Sequence, residues 1–521
     1  MRIRILSALI IFLTACTEKA EKPNLVYLFA DQHRYDVLGF MGDKQALTPN
    51  LDRMAANGMV IENAVSVSPV CAPHRSSLFT GKYISSTGMV INEVCMNPNH
   101  RAIGYVLHEG GYDMAYLGKW HLVDIHKRDI PQGPARLGFQ HASLFQAYNF
   151  NHQNYKGFYW TDEGDSVVMK QIEGNQTEFW TSTAIDYIKR AARQESSKAG
   201  SKAESTEGRK ERKPFALFLS YSPPHDPWVK DNVDPKSWDL YKDSVFSLPE
   251  NYLSAPDQYA DRMKSVEQWK NWTVRIPEAK KAYYAMVHHL DSEVGRILDC
   301  IEDLGIEDQT IVIYTSDHGE MFGSQGRVYK LTFYEEAARV PFVVNWTGHI
   351  DPASSSDICL NTPDIAPTIL GLLDLPVPDE MEGMDLSNAF LGKSGPEPEF
   401  AFLQGMGHTY MWIDGSEWRA IRDKQFTYAR YLVDGSEHLY DNQNDPLQMH
   451  NLALDPRWSE KLYEMRMSMA SKMEEINDGF KPCTWYRDHW MDPDDQYSII
   501  GAAQGPFDGP YPPVSSLRAR R

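Results

Sequence analysis

The sequence predicts an α/β sandwich, a large central sheet with helices on its faces, followed by a smaller C-terminal α+β subdomain built on an antiparallel sheet. Three observations predict it. The runs Asn24–Ala30 (NLVYLFA), Pro214–Tyr221 (PFALFLSY) and Thr310–Thr315 (TIVIYT) are short, apolar and bounded by polar residues, the form of buried strands. Helical periodicity alternates with them. From about residue 400 the texture changes to apolar–polar alternation, as in antiparallel strands.

The chain opens with MRIRILSALIIFLTAC. Arg2 and Arg4 precede a stretch, Ile5 to Leu13, broken only by Ser7. Nine residues rise about 14 Å as a helix, far short of a bilayer core of roughly 30 Å, so residues 1–15 read as a signal peptide and not a span. Leu13-Thr14-Ala15-Cys16 resembles the lipobox of bacterial lipoproteins, which assigns Cys16 to lipidation and 16–23 to a tether. Thr17, where an Asp would retain such a protein at the inner membrane, favours the outer membrane, on its periplasmic face or at the cell surface. Five cysteines remain, at 71, 95, 300, 359 and 483, an odd number that leaves a thiol unpaired and excludes a dense disulfide scaffold.

The first strand begins a main domain over 24–395. Thr48 caps the next helix with Pro49 in its first turn, Leu51, Met54 and Ala55 give the apolar face, and Gly58 ends it. Met114 to Leu117 and Val340 to Asn345 are weaker strand candidates, and Glu278 to Leu304 reads as one long helix. Residues 194–213 (QESSKAGSKAESTEGRKERK) lack hydrophobic residues except two Ala and read as a solvated, flexible insertion. Trp418 to Arg422 and Phe426 to Arg430 alternate apolar with polar inside a C-terminal subdomain over 396–500, and 501–521 is an irregular tail.

The 521 residues hold 71 Asp and Glu against 52 Lys and Arg, a net charge of −19. That makes the chain a poor candidate for non-specific nucleic-acid binding, which needs cations against phosphates, but leaves room for a divalent cation or a local basic pocket. Aromatics make up 12%, which suits either sugar-stacking surfaces or a large aromatic core.

Four stretches carry reactive groups, each where a strand or helix ends, the place where sites gather in open α/β sheets. Ala30-Asp31-Gln32-His33 sets a carboxylate and an amide oxygen side by side, a ligand pair for a hard cation. Val70-Cys71-Ala72-Pro73-His74-Arg75 leads through an apolar pair to Thr80-Gly81. Gly111 to His121 ends in Gly-Lys-x-His; on an extended end Lys119 and His121 point to the same side, which suits gripping one anion. Thr315-Ser316-Asp317-His318-Gly319-Glu320 follows the strand TIVIYT.

The Cys-x-Pro-x-Arg run at Cys71 resembles the signature of the type I sulfatases, members of the alkaline-phosphatase-like superfamily, whose cysteine is oxidised during export to Cα-formylglycine. Gly111 to His121 looks like their second signature, and Ser316 to Gly319 like their metal motif. His74 stands where Ser, Thr or Ala is usual, and Met114 where Ser or Thr is usual. His225, in Ser-Pro-Pro-His-Asp-Pro-Trp, and Lys330 fall where the family has its own. The resemblance runs from about residue 24 to 455, including Asp364 to Thr368 and Leu439 to Pro446, which look structural.

The resemblance implies a large mixed central sheet, a sulfuric ester hydrolase, a maturation enzyme that makes formylglycine, and one Ca2+ held by Asp31, Gln32, Asp317, His318 and the modified Cys71. Sulfuryl transfer moves an anionic group, so a metal, Arg75, Lys119 and Lys330 must supply positive charge around it. A hydrated aldehyde has two hydroxyls on one carbon: one attacks sulfur, the other loses a proton and expels sulfate. By the same resemblance Asp317 accepts the nucleophile's proton, Arg75 and Lys119 stabilise the hydrate, and His121 assists elimination. His225 with Lys330 binds sulfate and protonates the leaving alcohol. The expected substrate is a sulfated polysaccharide or its oligosaccharides, algal (ulvan, carrageenan) or glycosaminoglycan. Two alternatives stand beside this reading. One is a phosphonate monoester or phosphodiester hydrolase of the same superfamily, suggested by Asp31-Gln32 in place of two Asp. The other is a surface lipoprotein that binds glycans without catalysis.

Overall fold

The computed structural model describes residues 22–123, 130–139, 144–146, 152–193 and 213–499. Cys16, the expected signal peptide, nearly all of the insertion and the tail at 501–521 lie outside the described residues. No described helix is long and apolar enough to cross a membrane.

The central sheet is built from β1 (Asn24–Asp31), β2 (Met59–Ile61), β3 (Asp113–Lys119), β4 (Leu144–Gln146), β5 (Phe158–Glu163), β6 (Ser166–Gln171), β7 (Phe215–Pro224), β8 (Thr310–Ser316), β9 (Phe342–Asn345) and β10 (Ser354–Ser356). Their order across the sheet is β10-β2-β9-β8-β1-β7-β3-β4-β5-β6. The adjacent strands β8, β1, β7 and β3 are parallel, so their C-terminal ends open along one edge. Antiparallel β9 and the β4–β5–β6 pairings make the sheet mixed.

Side chains of β1 alternate between two cores. Leu25, Tyr27 and Phe29 meet the layer holding helices Cys71–Thr80, Ile103–Glu109 and Thr362–Leu372. Val26, Leu28 and Ala30 meet helices Pro49–Ala56, Gln176–Ala192 and Ile276–Leu304. Covering both faces is why these strands read as unbroken apolar runs. Trp120, Trp180, Trp269 and Trp418 are all fully buried, so core packing accounts for much of the aromatic content.

Several boundaries differ from expectation for local reasons. Thr48 stands at the N-cap, but its hydroxyl donates to Asp52 (3.1 Å) and accepts from the Gly39 N–H (2.8 Å) instead of capping the helix. The helix runs Pro49–Ala56 with Asn57 as its C-cap, and Gly58 stands just past that end. A Cβ on Gly58 would lie 2.3 Å from the Val344 carbonyl, so that glycine serves close approach to β9. The hairpin β5–β6 turns through Gly164-Asp165, a two-residue connection that the sequence pattern did not single out.

The C-terminal sheet is a meander of β11 (Ala401–Gly405), β12 (Trp418–Arg422), β13 (Phe426–Tyr431) and β14 (Glu437–Asp441). Two polar positions of its alternation are buried and paired: Arg419 meets Asp478 at 2.5 Å, and Arg422 meets Glu335 at 2.7 Å. Cys71, Cys300, Cys359 and Cys483 are free thiols.

Candidate active site

The strand ends deliver the predicted residues to one place. Asp31 closes β1, Lys119 closes β3, Asp317 and His318 follow β8, and His225 follows β7. Cys71 opens the helix Cys71–Thr80, all of it buried, and Arg75 lies one turn further along the same face. Cys71 Sγ is 3.6 Å from Asp31 Oδ1, 3.3 Å from His318 Nε2 and 2.8 Å from Lys330 Nζ. Arg75 donates to Asp317 Oδ2 at 3.1 Å and, through its other terminal nitrogen, to Ser220 Oγ and the Lys119 carbonyl, each at 2.7 Å. Lys119 Nζ donates to Asp31 Oδ2. Lys330 Nζ also lies 3.0 Å from His318 Nε2 and 3.4 Å from His225 Nε2.

Backbone strain helps aim these groups. Gln32 (φ 71°), His121 (φ 57°), Tyr329 (φ 65°) and Leu331 (φ 68°) are all left-handed non-glycine residues, a conformation kept only where surroundings enforce it. His121 corrects the expectation of an extended Lys-x-His end. The chain turns there; Lys119 donates to Asp31, and both Lys119 and His121 still bear on the Cys71 thiol.

Asp31, Cys71, Asp317 and His318 each offer a ligand atom within 4.8 Å of the others. Gln32 adjoins this set through its backbone. Its Nε2 donates to Glu320, its backbone N–H donates to Asp317 (3.1 Å), and its carbonyl accepts from the Tyr283 hydroxyl (2.7 Å). Its Oε1 is buried with no hydrogen-bond partner. A buried acceptor without a donor is costly, and a hard cation among oxygen ligands satisfies it. The residues therefore fit a divalent cation.

The charges settle unevenly. Burial and the neighbouring Cys71 push the Asp31 carboxyl up, yet Lys119, His225 and Lys330 outweigh them and hold it well below the usual carboxylate range. Burial and Asp31 raise the Asp317 carboxyl. The Cys71 thiol is driven well below its ordinary value: burial opposes ionisation, but Lys119, Lys330, His318 and His121 prevail. Burial, aided by Lys119, lowers His121 to about 4. Burial also disfavours the His225 imidazolium, but Asp226, 2.9 Å from Nδ1, raises it to about 9. His74, the residue that departs from the usual signature, turns away from the cluster; its Nδ1 meets Ser66 Oγ at 2.9 Å and Thr362 Oγ1 at 3.2 Å.

Sequence reasoning passed over Glu320, although it stands in the motif Ser-Asp-His-Gly-Glu. It also passed over His152, whose ring stacks on His225 with centroids 3.6 Å apart. No local pattern marks His152, because the stacking joins segments far apart in the chain.

The strand-end site on a mixed sheet is that of a hydrolase with alkaline-phosphatase-like architecture. Comparison with known proteins agrees. The Sulfatase family model matches residues 23–375, and the model for the C-terminal part of N-sulphoglucosamine sulphohydrolase matches residues 323–477. The chain belongs to the sulfatase family and is a sulfuric ester hydrolase. It is 31% identical to an ulvan-active sulfatase of Formosa agariphila, over 90% of this chain and 84% of that one. It is 29% identical to an endo-4-O-sulfatase of Bacteroides thetaiotaomicron, over 90% of this chain and 94% of that one. A solved structure from work on glycosaminoglycan metabolism by B. thetaiotaomicron superposes with a TM-score of 0.73 at 26% identity, covering 90% of this chain and 98% of that one.

Proposed function

We propose that this protein hydrolyses sulfate esters on a sulfated polysaccharide or its oligosaccharides, using formylglycine made from Cys71 and one divalent cation, Ca2+. The observation that carries the reading is the convergence on Cys71 of two carboxylates, His318 and the cations Arg75, Lys119 and Lys330 in one buried cluster. Relatives named as an ulvan-active sulfatase, an endo-4-O-sulfatase and an N-acetylglucosamine-6-O-sulfatase support the substrate class. Asp31, Gln32, Asp317, His318 and residue 71 would hold the cation, which supplies positive charge and lowers the pKa of the nucleophile. Formylglycine supplies a hydrated aldehyde whose two hydroxyls allow attack on sulfur and later release of sulfate.

The side chains around residue 71 have separable tasks. Asp317, raised by burial and by Asp31, is the carboxylate placed to take a proton. Arg75 and Lys119 fix the two carboxylates and contribute the charge that a developing oxyanion needs. His121, held neutral, is suited to accept a proton during elimination. Lys330 bridges Cys71 and His225, so sulfate bound against it lies between nucleophile and acid. His225, 12% exposed, is the partly open member of the cluster and carries the proton for the leaving alcohol. Maturation requires a formylglycine-generating enzyme, and the lipobox-like Leu13 to Cys16 supports a lipid-anchored, exported enzyme at the outer membrane.

Paired kinetics test the reading. The matured protein is expected to cleave an aryl sulfate and members of a panel of sulfated oligosaccharides with higher kcat/KM than the matching aryl phosphate diester. Preference for the phosphate diester or a phosphonate monoester would overturn it.

A further inference from the structure

Five arginines are fully buried among the described residues, and each meets a carboxylate: Arg75 with Asp317, Arg136 with Asp162, Arg327 with Asp257, Arg419 with Asp478 and Arg422 with Glu335. Half-buried Arg262 breaks this pattern. Its guanidinium carbon lies 4.7 Å from the Tyr329 ring centroid and 4.6 Å from that of Tyr410, so an aromatic ring holds it on each of two contacts. Its Nε is buried without a hydrogen-bond partner, and among the described residues no carboxylate reaches ion-pairing distance. In a chain of net charge −19, a guanidinium held by rings instead of a direct carboxylate pair, with its Nε buried and unpartnered, is a costly arrangement unless something else supplies an anion.

Its position says where that anion comes from. Tyr329 immediately precedes Lys330, and its backbone N–H donates to Glu320 Oε1 at 2.8 Å. The Tyr329 ring stacks on Trp228, three residues beyond His225, at 6.0 Å. The Asp226 carboxyl, partner of His225, is held below its ordinary range, against burial, by His225 and Lys330 and also by Arg262. On the other side, Asp261 accepts from the Thr409 hydroxyl (2.5 Å), and its carbonyl meets His408 Nε2 (3.2 Å), which fixes the Arg262 segment against the loop carrying Tyr410. Ring contacts occupy guanidinium faces and leave the edge, and the edge is what grips a planar oxyanion with two parallel hydrogen bonds.

We propose that Arg262 forms an accessory anion subsite beside the leaving-group acid, binding a second anionic group, carboxylate or sulfate, on the saccharide whose ester is cleaved. The inference rests on the sulfated-saccharide reading above. It makes the enzyme selective for sugars carrying two charges, one cleaved and one recognised.

Two substrate pairs test it: a sulfated disaccharide with an adjacent uronate against the same disaccharide with its carboxyl reduced to the alcohol, and a disulfated against a monosulfated sugar. Wild type is expected to favour the doubly charged member of at least one pair by about 10- to 100-fold in kcat/KM, the worth of one charge-assisted hydrogen-bonded pair. The pair that shows the preference identifies the group. Arg262→Gln is expected to bring that ratio near one, and Arg262→Lys, which keeps charge but loses the planar fork, to leave an intermediate ratio. A wild type that cleaves both members of each pair alike overturns the subsite alone, as does a ratio unchanged in Arg262→Lys and Arg262→Gln. A wild type that cleaves none of these sugars overturns the sulfated-saccharide reading and the subsite together.

Discussion

Gln32 is aimed by what holds its far end. Glu320 takes the amide nitrogen, and its other oxygen accepts from the Phe322 (3.0 Å) and Tyr329 (2.8 Å) N–H groups. The three groups hydrogen-bonded to that carboxylate are all donors, so Glu320→Gln would set an amide NH2 against one of them and release the Gln32 side chain. Affinity for the divalent cation, read from activity against added Ca2+, should fall about 10- to 100-fold, the usual cost of disturbing a residue that orients a metal ligand. His225 gives a second residue-scale expectation. As an acid it must be protonated, and Asp226 keeps its pKa at about 9. The kcat/KM profile should therefore fall as pH rises through about 9, and Asp226→Asn should move that limb to lower pH, because the largest charge favouring the imidazolium is gone. His225→Ala should lose more activity on sugar sulfates, whose alcohols leave poorly, than on activated aryl sulfates; equal losses would contradict its role as acid. At this scale the sequence was informative where residue types cluster within one motif, as at Cys71 and Asp317. It was silent on Glu320 and His152, whose importance comes from contacts between distant segments.

Elements were legible where burial leaves a pattern. β1, β7 and β8 are covered on both faces and so appear as apolar runs. The long helix Ile276–Leu304 shows its periodicity throughout, and only its first two residues escaped notice. Glycines were harder to read, since a turn and a close backbone approach use the same residue. Gly58 belongs to the second class, and so does Gly118, which has a left-handed backbone inside strand β3. Gly118 has φ +97°, and a Cβ there would lie 2.1 Å from the Ser220 carbonyl oxygen. Ser220 also receives Arg75, and Lys119 follows directly, so this contact sets the spacing of two site cations. Gly118→Ala should destabilise the protein by about 3 kcal/mol, combining left-handed strain with a backbone clash, as measured by urea denaturation.

Across the whole molecule, the C-terminal sheet is joined to the catalytic part by buried charge. Arg422 of β12 meets Glu335 in a bidentate pair at 2.7 and 3.0 Å and also donates to Asn63 (2.8 Å). Alternation alone marked the strands but not this docking, because an arginine in a strand reads as solvent-facing until its partner is known. Glu335→Ala should cost about 3–5 kcal/mol in denaturant unfolding by leaving a buried guanidinium unpaired, while replacing both partners with apolar residues should cost much less. The central claim concerns residue 71, around which the cations of an otherwise acidic protein are gathered. Mass spectrometry of the tryptic peptide carrying residue 71, from fully active protein made alongside a maturation enzyme, tests that claim most directly. A mass about 18 Da below that of the encoded cysteine peptide is predicted, from exchange of the thiol for an aldehyde; an unmodified thiol in fully active protein would contradict it.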